Sequence, residues 1–270
     1  MEQQQAEASF FILGSALHTA IENAIVFDMD EDWALGGLNA TLNREIERVV
    51  DAINKNDVRV IESSKRGFDT MIEDAERMLR NWFKFVHPDS DKRLPIYDGY
   101  DWPPRTEVAF MSPAVRAGTA FPVWGSIDAI FYGKEGVAHV DWKSGASRQR
   151  NSDQLHFYAF GMQEGNAEGF ATWFHHLDKV QARSIIQHAD PYPGDDAVRA
   201  RILATEAIKG AICAGEYPQF NADWYCNYCP VQHYCPVEGD VRNRDANAQN
   251  LRSMLRLARP MTELPEREVA

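Results

Sequence analysis

Asp128, Asp141 and Lys143 are the residues of this chain best suited, by type and spacing, to do chemistry. Two aspartates thirteen residues apart, with a lysine two residues beyond the second, offer oxygen ligands to a hard divalent cation. The ammonium beside them could orient a water nucleophile or stabilise charge developing on a phosphate. A second concentration of reactive groups lies near the other end. Cys226, Cys229 and Cys235 form a C-x2-C-x5-C pattern, and Cys213 precedes them. Thiols clustered in this way in an intracellular protein read as metal or cluster ligands before they read as disulfides. The plainer alternative is three reduced thiols packed in a C-terminal knuckle.

The aspartates need a scaffold, and the sequence around them alternates as a β-hairpin does. With the loop centred on Lys134-Glu135, paired positions have numbers that add to 269. Ile127 then faces Trp142, Ala129 faces Val140 and Phe131 faces Ala138, which makes one face apolar. On the other face Asp128 falls opposite Asp141, His139 faces Ile130, and Lys143 follows on the same side. Directly opposed residues have Cβ atoms roughly 4.5–5.5 Å apart, and opposed like charges destabilise a sheet. A cation between the carboxylates removes that conflict. The bland alternative is a half-exposed hairpin with charges on its wet face.

Around this hairpin, helical periodicity covers Phe10 to Asp28, Leu38 to Ile53 and Phe68 to Phe85. His87 to Arg105 is proline-rich and reads as a connector. Strands are expected at Thr106–Met111, Phe121–Tyr132, Val137–Lys143, Gly169–His176 and Lys179–Gln187. Helices are expected at Arg150–Met162, Asp195–Ala214 and Val241–Leu257. The chain has 270 residues, 44% hydrophobic and 25% charged, enough for a sizeable core without disulfides. A net charge of −12 argues against coating nucleic acid by bulk electrostatics, though a local basic groove or bound cations could still carry the contact. No run of 18 apolar residues is present, and Met1 to Ala8 lacks the blocks of a signal peptide, so a cytoplasmic protein with no membrane partner is expected.

Gly125-Ser126-Ile127-Asp128 followed by Asp141-Trp142-Lys143 resembles the signature of the PD-(D/E)XK nucleases, with the gap of their RecB-like branch. Gly14, His18 and Glu22 fit that branch's upstream helix motif, and Gln154 and Tyr158 fit its downstream one. The resemblance implies an α/β fold: a restriction-endonuclease-like mixed sheet core with a helical N-terminal part and a C-terminal cysteine knuckle. The parts expected are 1–100, 101–215 and 216–240, with a helix and tail over 241–270. It implies metal ligation, by Mg2+ or Mn2+, through Asp128, Asp141, the backbone carbonyl of Trp142 and His18. Lys143 would position or activate the attacking water, and Gln154 and Tyr158, one helical turn apart, would contact DNA or shape the site. Each of His18, Gln154 and Tyr158 has an ordinary structural alternative. Glu107 reads as a strand-end carboxylate, with an outer role at the metal as the alternative.

The cysteine segment resembles the iron–sulfur clasp of AddB-type and CRISPR-adaptation nucleases, which implies a [4Fe-4S] cluster on Cys226, Cys229 and Cys235. The chain has no cysteine before Cys213, so the clasp's N-terminal ligand is missing. Cys213 could replace it, or His233 could, and the latter would suit Zn2+. Arg116, Arg148 and Arg150, with nearby aromatics, suit a single strand or a DNA end, against the reading of ordinary solvated arginines. The expected function is metal-dependent exonuclease action on single-stranded or end-bearing DNA in recombination, repair or phage replication. Rival readings are a nuclease subunit serving a helicase or CRISPR adaptation, and a non-catalytic DNA-binding or protein-interaction module. A zinc-bound structural protein is a further one.

Overall fold

The structure is a computed structural model. It describes residues 5–54, 58–61, 70–119, 122–134, 136–144, 148–149, 151–162 and 170–213. Arg150, Cys226, Cys229, Cys235, His233 and the expected helix Val241–Leu257 lie outside these residues. The described chain falls into two compact units, one up to Arg80 with Lys179–Ala182, the other Asn81–Asp178 with the chain from Arg183.

The first unit is mainly helical. Strand β1 (Gln5–Ala8) leads into helix α1 (Ser9–Val26), and α2 (Glu31–Asn54) packs on α1. On α1, Leu13, Leu17, Ile21 and Ile25 recur every fourth residue and are all buried. The helix closes with Asp28 in the left-handed region (φ 48°) and the Met29 N–H on the Ala24 carbonyl. Helix α2 begins two turns before the expected Leu38. Asp30 caps it, its Oδ1 accepting the Trp33 N–H at 3.0 Å, and Gly36-Gly37 runs within the helix. Strand β2 (Val58–Ile61) pairs in parallel with β1, Gln5 opposite Val58. Neither strand is apparent from periodicity, because four residues are too few to show one.

Helix α3 (Met71–Val86) carries the chain into the second unit, where Trp82, Phe83 and Val86 are buried. That unit is built on a sheet in the order β3 (Arg105–Ser112), β4 (Val123–Gly133), β5 (Gly136–Ser144), β6 (Phe170–Leu177), β7 (Ser184–His188). Only β5 and β6 run parallel, and α5 (Asp153–Met162) supplies the crossover that parallel neighbours require. Short α4 (Ala114–Ala117) follows β3, and α6 (Asp195–Cys213) follows β7. The arrangement is a mixed α/β fold compatible with the expected restriction-endonuclease-like core. The last strand is shorter than Lys179–Gln187. Asp178 and Arg183 close a tight turn through their ion pair, which leaves residues 179–183 outside the ladder.

Both faces of the sheet are covered. On one, Phe110, Ile127 and Phe174 pack with Leu155 and Tyr158 of α5. Gly125 and Gly161 make room there, since a Cβ would lie 2.9 Å and 2.0 Å from the Phe110 ring. On the other, Trp142 meets Trp82 at 6.4 Å and His175 at 5.5 Å between ring centroids, and Tyr97 stacks on His175. The connector over His87–Arg105 is therefore part of the core: Tyr97 is fully buried and its hydroxyl lies 2.6 Å from His175 Nδ1.

Candidate active site

The β4–β5 ladder runs from Gly133–Gly136 to Ala129–Val140, in the register that the hairpin arithmetic predicts. It includes Ile130 opposite His139, and both are buried, so the second face of the ribbon is not a wet one. Burial holds His139 neutral, lowering its pKa to about 4. Ile127 does not face Trp142, and Asp128 is not a rung opposite Asp141, because the ladder ends one residue earlier. Asp128 Oδ2 accepts the Trp142 N–H at 2.7 Å, so a side chain takes a β5 donor just past the last rung. Ile127 and Trp142 pack on opposite faces of the sheet.

Asp141 sits at this opening, almost wholly buried. Its Oδ1 accepts the Tyr158 hydroxyl at 2.9 Å, and its Oδ2 lies 2.5 Å from Lys143 Nζ. That second contact is an ion pair rather than an aligned hydrogen bond, so Oδ2 keeps acceptor capacity. Gln154 closes a ring. Its Nε2 donates to the Tyr158 hydroxyl at 2.7 Å and its Oε1 accepts from Lys143 Nζ at 2.8 Å. Gln154 and Tyr158 share a face of α5 and reach the carboxylate together. Lys143 Nζ also lies 5.1 Å from the centre of the Phe174 ring. Burial first, then the charge of Asp128, pushes the Asp141 carboxyl up to about 6 against the pull of Lys143 and Tyr158. Burial, with Asp141 next, raises the Tyr158 hydroxyl beyond any working pH, so it stays a donor.

A second pair of carboxylates was not singled out by the hairpin. A carboxylate oxygen of Glu107 on β3 lies within 4.8 Å of one on Asp128. The β3–β4 register pairs Thr106 with Ala129 and Val108 with Ile127, and the rung between them, Glu107 and Asp128, is absent. Glu107 has φ 45°, a left-handed conformation costly for a side chain of its size, by about 1–3 kcal/mol. Ser126 Oγ donates to Glu107 Oε2 at 2.9 Å and fixes its direction. Extending the pairing arithmetic to β3 would have found this pair. The long link between β3 and β4, however, has no symmetric centre from which to count.

The remaining expected residues are placed as follows. His18 and Glu22 lie one turn apart on α1 in the first unit, both half-buried. Arg116 is engaged structurally: its guanidinium lies 4.8 Å from the centre of the Phe160 ring and 3.6 Å from Asp195. Arg148 is exposed beyond β5. Trp142 has its ring in the core and its backbone at the opening of the ladder. Among the described residues, no helix is long and apolar enough to cross a membrane.

The donor set fits a hard divalent cation: carboxylate oxygens at a strand opening, one of them buried with spare acceptor capacity. A crystal structure titled SSO0001 aligns with 87% of this chain and 88% of its own at 11% identity, with a TM-score of 0.35, too loose a likeness to argue from. Nothing among curated proteins matches. The sequence model of the PD-(D/E)XK nuclease superfamily matches residues 2–236, which include every element built around Asp128, Asp141 and Lys143. The chain belongs to the PD-(D/E)XK nuclease superfamily, whose members hydrolyse phosphodiester bonds and generally depend on divalent metals.

Proposed function

We propose that this nuclease is a Mg2+- or Mn2+-dependent DNA exonuclease of the RecB-like branch, acting on single-stranded or end-bearing DNA. The observation that carries this is the ring Asp141–Lys143–Gln154–Tyr158, which ties the residues of two motifs into one network around a buried carboxylate. A cation held by Asp128, Asp141 and Glu107 would neutralise the reacting phosphate and act as Lewis acid on its oxygens. Lys143 has three donors; Gln154 accepts from one, and the ammonium is ion-paired with Asp141. A remaining donor is directed to the attacking water or to a phosphate oxygen. Gln154 and Tyr158 position Lys143 and Asp141 rather than react. The family resemblance adds His18 and the Trp142 carbonyl as further ligands, and Arg148, exposed beyond β5, is a candidate contact for the DNA strand. It also offers a helicase or recombination partner, which affinity purification would test.

The test is cleavage of linear and circular single strands, and of duplexes labelled at either end, in Mg2+, Mn2+ or EDTA. Products released from ends, lost in EDTA and lost in Asp141→Ala, are expected. Circles cut as fast as linear strands would replace exonuclease with endonuclease action. DNA bound but uncut under every metal would make the chain a binding module.

A further inference from the structure

Next to the carboxylates, β3 and β4 carry a feature that metal chemistry does not use. Trp124 is 76% exposed and Met111 is 64% exposed. They are not scattered surface residues, because the β3–β4 register pairs them directly. Cross-strand partners have Cβ atoms about 5 Å apart, so the two side chains stand side by side. Their strand neighbours Phe110 and Gly125 turn the other way, toward Phe157 and Gly161 of α5. Trp124 and Met111 therefore stand on the side of the ribbon away from α5. Ser126, two residues along β4, shares that side and bonds Glu107, whose carboxylate adjoins that of Asp128. Indole, hydroxyl and carboxylates thus form one line on the same pair of strands. At about 3.3 Å per residue, Trp124 lies roughly 13 Å along β4 from Asp128, within reach of a nucleotide close to the one cleaved.

We propose that Trp124, supported by Met111, is a stacking platform for an unpaired base of the substrate strand. The inference rests on the nuclease reading and deepens it, because it commits the site to a strand with accessible base faces. A base stacked in a duplex has no free face to offer, whereas every unpaired base does, whatever its sequence. Direct pairing of the two residues and their line to the carboxylates favour this occupant over another protein.

The experiment measures binding of a fluorescein-labelled oligothymidylate, of the same oligomer with single abasic positions, and of a duplex. It is done in Ca2+ for the full chain and for Trp124→Ala and Trp124→Phe, with cleavage in Mg2+ followed separately. Trp124→Ala is expected to weaken single-strand binding about tenfold, a typical effect of one lost base–aromatic stack, and Trp124→Phe to restore most of it. One abasic position should weaken the parent protein by a similar factor and leave Trp124→Ala no worse. Equal binding by parent and Trp124→Ala, or equal abasic penalties in both, overturns the platform. Conversion of a dimer to a monomer by Trp124→Ala, with oligonucleotide binding unchanged, identifies a subunit contact and also overturns it. The predicted binding pattern without cleavage by any protein overturns the nuclease reading and leaves the platform standing. No binding of any oligonucleotide overturns both.

Discussion

The two carboxylate groups at the opening of the hairpin are handled in opposite ways. Asp141 is buried, and the protein itself supplies its counter-charge and donors through Lys143 and Tyr158. Glu107 and Asp128 bring two acids together between β3 and β4, with the Ser126 hydroxyl donating to Glu107 and the Trp142 N–H to Asp128. The first arrangement holds Lys143 in place before anything binds. The second brings like charges together, and a divalent cation would offset their repulsion. Preorganisation and ligand demand are thus divided between two sides of one strand opening.

That division can be broken most severely at its centre. Lys143→Ala should lower cleavage by at least about 100- to 1000-fold, the usual cost of one donor aimed at developing charge, while metal binding persists. Calorimetric titration of Mn2+ beside a cleavage assay would check it, and loss of both together would deny the separation. Glu107→Gln attacks the other side. It should weaken apparent metal affinity by roughly 10- to 100-fold, as loss of a supporting group at a metal site does, with cleavage recovered at high metal.

The pH dependence separates the two groups without a change of charge at Glu107. The folded pKa of Asp141, about 6, lies above its ordinary value of 3.8. Between about pH 4 and 6 the unfolded chain has released this proton and the folded chain still holds it, so metal-free stability falls as pH rises. Above about pH 6 the full cost is present, on the order of 2–3 kcal/mol. Melting in EDTA should show that slope, and Asp141→Asn should remove it, being more stable than the parent at neutral pH yet inactive. Added metal should offset the loss, by about 2.7 kcal/mol at a hundredfold excess over its dissociation constant. The smallest effect is expected for Tyr158→Phe. It removes one hydrogen bond to Asp141, at a cost of about 1 kcal/mol in stability, and raises the pH at which activity appears. An unchanged pH profile would show that Tyr158 does not support that carboxylate.

The hairpin was legible because its two-residue loop sets a centre from which every rung can be counted, and alternation then assigns the faces. The same counting overshot by two rungs. It assumes a ladder that continues, whereas Asp128 diverts a β5 donor to its own side chain. Gln154 and Tyr158 followed from a spacing of four on a helix. Their mutual ring with Lys143 did not, since that depends on how α5 lies on the sheet. Glu107 was legible as an acid on a strand, with an outer role at the metal as the alternative. Its partnership with Asp128 rests on a backbone conformation that no residue type announces, least of all glutamate, which has little preference for a left-handed turn. Tyr97 was hidden inside a stretch whose prolines advertise a connector, although its ring lies in the aromatic layer.

The turn at Glu107 has a consequence outside the chain. Strand β3 is an edge of the five-stranded sheet and runs for eight residues. A straight edge of that length is a template on which a strand of another molecule can add, and so a route to aggregation. The left-handed residue near its start interrupts the row of donors and acceptors and bends the edge away from flatness. The conformation that brings the Glu107 carboxylate beside Asp128 therefore also keeps this edge from growing into a larger sheet.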